Sequence, residues 1–283
     1  MLNNILILLL IILVIRMIFE NKMLSTTHYT ISSEKFSANF QGKRIILLSD
    51  LHNNSFGKNN KKLLNAIHDS KPDVIMIAGD MLVGHPKADN TVALKLVEEL
   101  ARQYTVFYSK GNHEQKLSLN PLTWESSYKE YEDKLKKSNV KFLVNESENY
   151  ENIIVSGIDI SIDFYRKFNR PEMSVSYLEE SLKKPDMDKF TILLAHNPMY
   201  FKDYVKWGAD LVLSGHVHGG IARIPGLGGV ISPQYKFFPK YDYGEFKEGS
   251  STMILSRGLG AHTIKLRLFN LPELVVIDLI GKQ

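Results

Sequence analysis

The chain has 283 residues, 44% of them hydrophobic, and a formal net charge of +4, enough for one sizeable domain with its own core. It contains no cysteine, which excludes disulfide staples and thiolate metal sites and leaves nitrogen and oxygen donors for any metal. The mild positive balance suits anionic substrates or headgroups without requiring nucleic acid.

In chain order, residues 1–22 form a first unit. Ile5 to Ile15 is unbroken Ile, Leu and Val, and apolar character runs from Leu2 to Phe19. A membrane span wants about 20 such residues, and Arg16 can extend the reach by snorkelling. No Ala-x-Ala-like cleavage site is present in Glu20-Asn21-Lys22-Met23-Leu24. The segment therefore reads as an uncleaved N-terminal anchor rather than a secretory signal. Arg16 and Lys22 on its C-terminal side leave the orientation open on so few charges, and by the positive-inside rule favour a cytoplasmic main domain. Residues 23–42 read as a connector with some extended character at His28 to Ile31, and 43–283 as the main domain.

Within that domain, apolar runs alternate with segments of helical spacing. Strands are expected at Arg44–Ser49, Val74–Ala78, Thr105–Tyr108, Val140–Val144 and Ile153–Val155. Helices are expected at Asn59–Ser70, Thr91–Leu100 and Trp124–Lys137. The second half continues with a helix at Ser174–Lys183, a strand at Thr191–Leu194, a helix at Met199–Trp207 and a strand at Leu211–Leu213. Residues 219–250, rich in Gly, Pro and Tyr, suit a long loop with short hairpins. Strands Met253–Leu255, Ile264–Leu268 and Leu274–Leu279 close the chain. Ile264, Leu266 and Leu268 alternate with Lys265 and Arg267, which predicts one wet face. The alternation implies an α/β domain with mixed sheets, in which ligands gather beyond the carboxyl ends of the strands.

Four fragments lie at such ends: Asp50-Leu51-His52, Gly79-Asp80, Gly111-Asn112-His113-Glu114 and Gly215-His216-Val217-His218, with His196 after a fifth strand. Each alone is weak. Together they supply the carboxylate, amide and imidazole groups that a pair of divalent metals needs. In this order they resemble the calcineurin-like metallophosphoesterase superfamily, over residues 44 to 279. The tail Gly215 to Gly220, followed by Pro225 and Gly226, resembles its membrane-anchored bacterial branch.

The resemblance implies a layered sandwich of two mixed β-sheets flanked by helices. It implies that Asp50, His52 and His218 hold one metal, that Asn112, His196 and His216 hold a second, and that Asp80 bridges them. His113 is implied to face the phosphate as the catalytic residue. The implied reaction is hydrolysis of a phosphodiester or pyrophosphate by a dinuclear metal-activated hydroxide. Mixed imidazole and carboxylate donors suit Mn²⁺ first, with Fe or Zn close behind. With the anchor, the expected substrate is lipid-linked or membrane-proximal, as for similar hydrolases of UDP-diacylglucosamine. A nuclease or cyclic-nucleotide phosphodiesterase and a non-catalytic metal scaffold are the alternatives. No nucleic acid and no obligate protein partner are expected.

One departure stands out. Many members carry an acid three residues after the bridging Asp to brace the His; here the position is Val83. The brace must come from Glu114 or a backbone carbonyl, or be absent, which points to a substrate with a fairly good leaving group. Of the remaining candidates, His28, His68, His85 and His262 read as surface. Arg223 and the loop Ser256-Arg257-Gly258-Leu259-Gly260 read as phosphate contacts or as exposed structure. Tyr235 to Tyr243 reads as a packed loop or lid, and Lys134 to Lys141 as a solvated face.

Overall fold

The computed structural model of the chain describes residues 2–36, 42–85, 88–119, 125–220, 222–224, 228–231, 239–261 and 267–282. Helix α1 (Leu2–Glu20) stands outside the packed body. Its 19 residues span about 28 Å at 1.5 Å each, close to a bilayer's apolar thickness.

Two six-stranded sheets stack face to face behind it. The first has the order β1-β14-β2-β3-β4-β5, with β1 (Ser25–Ser33), β2 (Lys43–Leu48), β3 (Val74–Ala78), β4 (Thr105–Ser109), β5 (Lys141–Phe142) and β14 (Glu273–Gly281). β2 to β5 run parallel, β14 runs against β2, and β1 lies parallel to β14. The second sheet has the order β12-β13-β9-β8-β7-β6, with β6 (Glu146–Tyr150), β7 (Ile153–Gly157), β8 (Phe190–Leu194), β9 (Leu211–Ser214), β12 (Gly244–Glu248) and β13 (Ser251–Leu255). Its four inner strands are parallel and its outer pairs are antiparallel hairpins. A small hairpin, β10 (Ala222–Ile224) with β11 (Gly228–Ile231), lies apart from both sheets.

The period of two along each strand divides the core into layers. Ile45 and Leu47 of β2 face inward and meet Ile192, Leu194, Leu211 and Leu213 of the second sheet. Ile46 and Leu48 face out, under α2 (Lys61–Asp69), α3 (Thr91–Ala101) and α5 (Glu125–Lys137). On the far side Leu193 and Val212 lie under α6 (Val175–Leu182) and α7 (Phe201–Trp207). Both faces of each inner strand are thus covered, which is why these strands read as continuous apolar runs.

The structure departs from the sequence expectations in four places. The stretch read as a connector supplies β1, paired with β14 along its whole length. Its alternation of exposed and half-buried residues is that of an edge strand with one wet face. The Gly111–Glu114 fragment opens a short helix, α4 (Asn112–Ser118), because Glu114 reaches back to accept the Gly111 N–H at 3.1 Å. Strand β5 is shorter than expected and β6 was not anticipated, whereas β12 forms a hairpin with β13 from the stretch 219–250 read as a loop with short hairpins. Finally, Arg267 is not on a wet face: it is 2% exposed. Its guanidinium donates to the carbonyls of Arg257 (2.9 Å), Gly258 (3.1 Å), Gly260 (2.7 Å) and Asn270 (3.3 Å). The loop after β13 turns those carbonyls inward, and only a forked donor can serve them together. Trp124, Pro225, Gly226, Tyr235, His262 and the stretch 264–266 lie outside the described residues.

Replacing Arg267 by Met removes these charge-assisted bonds. It is expected to destabilise the fold by at least about 2 kcal/mol in urea unfolding. Arg267→Lys should recover only part of the loss, since one ammonium cannot occupy both nitrogen positions that serve the four carbonyls; equal stability of all three proteins would refute the assignment.

Candidate metal centre

Asp50 and His52 follow β2, Asp80 follows β3, Asn112 and His113 open α4 after β4, His196 follows β8, and His216 and His218 follow β9. All these strands end at one edge of the sandwich, so residues up to 168 positions apart in sequence converge. Five of them, Asp50, His52, Asp80, His216 and His218, adopt left-handed backbone with φ between 48° and 76°. Such conformations cost about 1–2 kcal/mol each for non-glycine residues, and Asp, Asn and His tolerate them best.

Glycines let the loops approach. A Cβ on Gly79, itself at φ 83°, would collide with the Gly111 backbone. A Cβ on Gly215 would overlap the Asp50 carboxylate.

Three groups of potential ligand atoms lie within 4.8 Å of one another: Asp50, His52 and His218; His52, Asp80 and His113; and Asp80, His196 and His216. His52 Nε2 is 3.3 Å from His218 Nε2 and 3.8 Å from Asp50 Oδ1. His196 Nε2 is 3.0 Å from Asp80 Oδ2 and 3.8 Å from Asp50 Oδ1, without the alignment of a hydrogen bond. Asp80 and His52 thus belong to more than one group.

The second ring nitrogens sort the histidines. Nδ1 faces a backbone carbonyl in His52 (Leu82 O, 3.1 Å), His196 (Ala78 O, 2.6 Å) and His218 (Gly260 O, 3.2 Å). A carbonyl only accepts, so Nδ1 carries a proton and Nε2 is the atom turned inward, able to give a lone pair to a metal once any proton on it is displaced. His113 is the reverse. Its Nδ1 accepts the Gly84 N–H at 2.6 Å, so its proton sits on Nε2, 3.9 Å from Asp80 Oδ2. The expected brace by Glu114 or a carbonyl is replaced by this amide, one residue after Val83.

Glu114 serves the loops instead. Its carboxylate accepts N–H groups of Asp80 (2.8 Å), Leu82 (3.0 Å) and Gly111 (3.1 Å) and the Tyr108 hydroxyl (3.0 Å). Burial, then the Asp80 charge, pushes its pKa up to about 7. The Asp50 carboxylate accepts the His216 N–H at 3.1 Å, and Asp80 Oδ1 accepts that of His113 at 2.8 Å, which leaves Oδ2 inward.

The charges fit a cation. Burial raises Asp80, but His196, His113 and His52 outweigh it and hold its carboxyl well below the usual range. Burial dominates at Asp50 and raises it, against the pull of His196. Burial alone would lower His196, yet Asp80 and Asp50 push it up to about 10. Burial, with Arg267 adding, drives His218 down to about 3, and burial with His196 lowers His216. The buried Asn112 Oδ1 and His196 Nε2 have no hydrogen-bond partner among the described residues. An orphaned amide oxygen and an inward imidazole nitrogen beside two carboxylates are the donor set a divalent ion takes.

Other candidates have structural partners. Arg223 pairs with Asp242 at 2.8 Å, and Arg257 with Glu273 at 3.1 Å. His68 bonds Tyr104 at 2.8 Å, while His28 and His85 are exposed. The sequence reading missed Gly84, whose contribution is a bare N–H, and Tyr165, whose ring stands edge-on to His216 at 5.0 Å. Tyr165 lies on another strand-end segment, after β7, and that position was its only signal.

A family model described as "Calcineurin-like phosphoesterase" matches residues 43–220. An uncharacterized metallophosphoesterase of Campylobacter jejuni is 30% identical over 85% of this chain, which spans 60% of that relative's length. One from Aquifex aeolicus is 29% identical, covering 93% of this chain and 94% of its own. A Danio rerio transmembrane protein with a metallophosphoesterase domain is 26% identical over 87% of this chain and 55% of its own.

Two outcomes are expected. With His196 at about 10, an entering dication displaces its proton at neutral pH. Affinity for Mn²⁺ should therefore rise with pH up to that value, with proton release visible by calorimetry in buffers of different ionisation heat. A pH-independent affinity would contradict it. Glu114→Gln puts an NH₂ against backbone donors, and should weaken Mn²⁺ binding about 10–100-fold.

Proposed function

The chain belongs to the calcineurin-like phosphoesterase family, and on that premise we propose that it is a dinuclear phosphohydrolase acting on a phosphodiester or pyrophosphate at a membrane surface. Metal-dependent hydrolysis of a phosphoester bond follows from the family and the Asp/His cluster. The observation that carries the finer reading is that His113 accepts an N–H at Nδ1, whereas His52, His196 and His218 point Nδ1 at carbonyls and turn Nε2 inward.

In this reading Asp50, His52 and His218 hold one cation, and Asn112, His196 and His216 a second. Asp80 would serve both, since the His113 backbone N–H occupies Oδ1 and Oδ2 faces inward. Cations so held supply Lewis acidity toward phosphoryl oxygens and ionise water near neutral pH. The protein fixes the donors: backbone carbonyls lock three imidazoles, and Glu114 ties together the Asp80 and Gly111 loops. We assign Mn²⁺, with Fe or Zn next, from the mixed imidazole and carboxylate set.

His113 faces the site with an Nε2–H. It donates a hydrogen bond to a phosphoryl or leaving oxygen, stabilising charge that grows there. Its Nδ1 accepts the Gly84 N–H, so what it presents to the substrate is a fixed Nε2–H. Such a group suffices for a leaving oxygen that departs as a stable anion, as from a pyrophosphate or an activated diester.

The membrane part rests on α1, which is long and apolar enough to cross a bilayer, and on the Danio rerio relative named as a transmembrane protein. A lipid-linked phosphoester, of the kind UDP-diacylglucosamine exemplifies, is the substrate class this arrangement favours.

The purified full chain with Mn²⁺ should hydrolyse bis-p-nitrophenyl phosphate, and Asp80→Ala should lower the rate by at least about a hundredfold. Across aryl leaving groups of graded pKa, His113→Ala should reduce all rates by a similar factor. A penalty that grows steeply with leaving-group pKa would show His113 acting as a strong acid. A lipid pyrophosphate left untouched while soluble diesters are cleaved would remove the lipid assignment alone.

A further inference from the structure

The most exposed large hydrophobic side chain described in the body of the molecule is Phe168, at 81%. It lies in the loop Arg166-Lys167-Phe168-Asn169-Arg170, which carries three cations in five residues. This loop is not loosely hung. Its root, the 3₁₀ turn Ile162–Tyr165, places Phe164 against the rings of Tyr177 (5.0 Å) and Tyr200 (5.3 Å). The Tyr200 hydroxyl reaches both ends, at 3.2 Å from Phe164 O and 3.2 Å from Pro171 O. Asn197 Nδ2 adds a bond to Phe164 O at 3.1 Å. A fold that pins both ends and leaves the tip's aromatic ring in water has not used that ring for its own packing.

The position of the loop follows from strand register. Gly157, the end of β7, pairs with Leu194 of β8, so the loop leaves from the edge that carries His196. α1 enters at the same edge: Ser25, the start of β1, pairs with Glu273 of β14, and Val275 of β14 pairs with Leu47 near the end of β2. The buried end of α1 is fastened there. Glu20 accepts the Asn270 N–H at 3.2 Å, and Asn270 Nδ2 donates to His218 O at 2.7 Å. β4 faces β7 across the sandwich, and four strand spacings separate β1 from β4. The loop and α1 thus stand on the order of 19 Å apart, on either side of the metal-loop cluster.

We propose that loop 166–170 is a second membrane contact, in which Phe168 enters the headgroup region of an anionic bilayer while the exposed Arg166 and Lys167 meet lipid phosphates. With α1 it would hold the edge bearing Asp50, Asp80 and His216 face-on to the bilayer. The inference rests on the anchor reading of α1. An aromatic flanked by basic residues is the chemistry that enters an interface without crossing it. Asp163 pairs with Arg166 at 2.7 Å, but the two side chains are 50% and 62% exposed, and a pair so open exchanges readily for a lipid phosphate. At the root, Tyr165 touches His216, so the loop's seating reaches a residue of the site.

The chain has no cysteine, so a nitroxide on a Phe168→Cys variant reports from one place. A matching Met187→Cys variant is the reference: Met187 is 51% exposed and precedes β8, on the opposite edge. Both full-length proteins are reconstituted into phosphatidylcholine vesicles with and without phosphatidylglycerol. Flotation reports attachment, and power saturation with oxygen and a nickel chelate reports depth. With phosphatidylglycerol, the oxygen-to-nickel accessibility ratio at position 168 should exceed that at 187 severalfold. Adding Arg166→Glu and Lys167→Glu should return it to the value at 187.

A protein that floats while position 168 reads as water overturns the loop contact and leaves the anchor standing. A protein that does not float overturns both, whereas the hydrolase reading is judged separately by turnover of the soluble diester. A ratio equal with and without phosphatidylglycerol overturns the role given to the basic residues. Immobilisation of the probe by an oligonucleotide, with none on vesicles, overturns the proposal in favour of nucleic-acid contact.

Discussion

Two carboxylates, Asp50 and Asp80, are buried within reach of one imidazole, His196. Burying like charges in an apolar sandwich is costly, and the surrounding structure is arranged to meet that cost. Backbone N–H groups of His216 and His113 cap one or both oxygens of each carboxylate. A proton on His196 balances part of the charge, and the remaining imbalance is what draws in a dication. Were the carboxylates in water, neither the orphaned Asn112 oxygen nor the left-handed loops would have a physical reason to be there.

The backbone carries much of this work. Left-handed turns at Asp50, Asp80, His216 and His218 reverse the chain at the strand ends and aim these side chains back over the sheet edge. Each turn is unfavourable by itself and is held by its neighbours: Gly79 lies against Gly111, Gly215 against Asp50, and Glu114 spans the loops after β3 and β4. Glu114 touches Asp80 through the Asp80 backbone N–H and not through its carboxylate. It acts by holding three amides in register, and so a change of charge there is transmitted to Asp80 without moving a ligand in sequence.

Much of the site was legible because ligand chemistry and strand ends coincide in the sequence: Asp-x-His, Gly-Asp, Gly-Asn-His and Gly-His-x-His each follow an apolar run. The inner strands were legible for the same reason, being buried on both faces. What could not be read depends on contacts distant in sequence. β1 is a half-exposed edge strand whose partner among the described strands is β14, more than 240 residues later, so its weak alternation looked like a connector. Arg267 looked solvent-facing because alternation reports the face of a strand, whereas its position is set by the carbonyls of residues 257–260. The brace on His113 was invisible because Gly84 acts through a backbone N–H, which every non-proline residue carries.

The same long-range pairing gives the molecule its direction. An anchor followed by a flexible connector would leave the catalytic edge free to point anywhere. Here only a few residues separate α1 from β1, and β1 is locked parallel to β14, whose antiparallel partner β2 ends at Asp50. Helix and metal-loop cluster are therefore fixed to one edge by hydrogen-bond ladders, and the Glu20–Asn270–His218 bonds close the gap between them. With α1 as the proposed anchor, a substrate that diffuses within a bilayer would meet this edge without leaving the surface. The strand that looked least informative in the sequence is the element that gives the site its orientation.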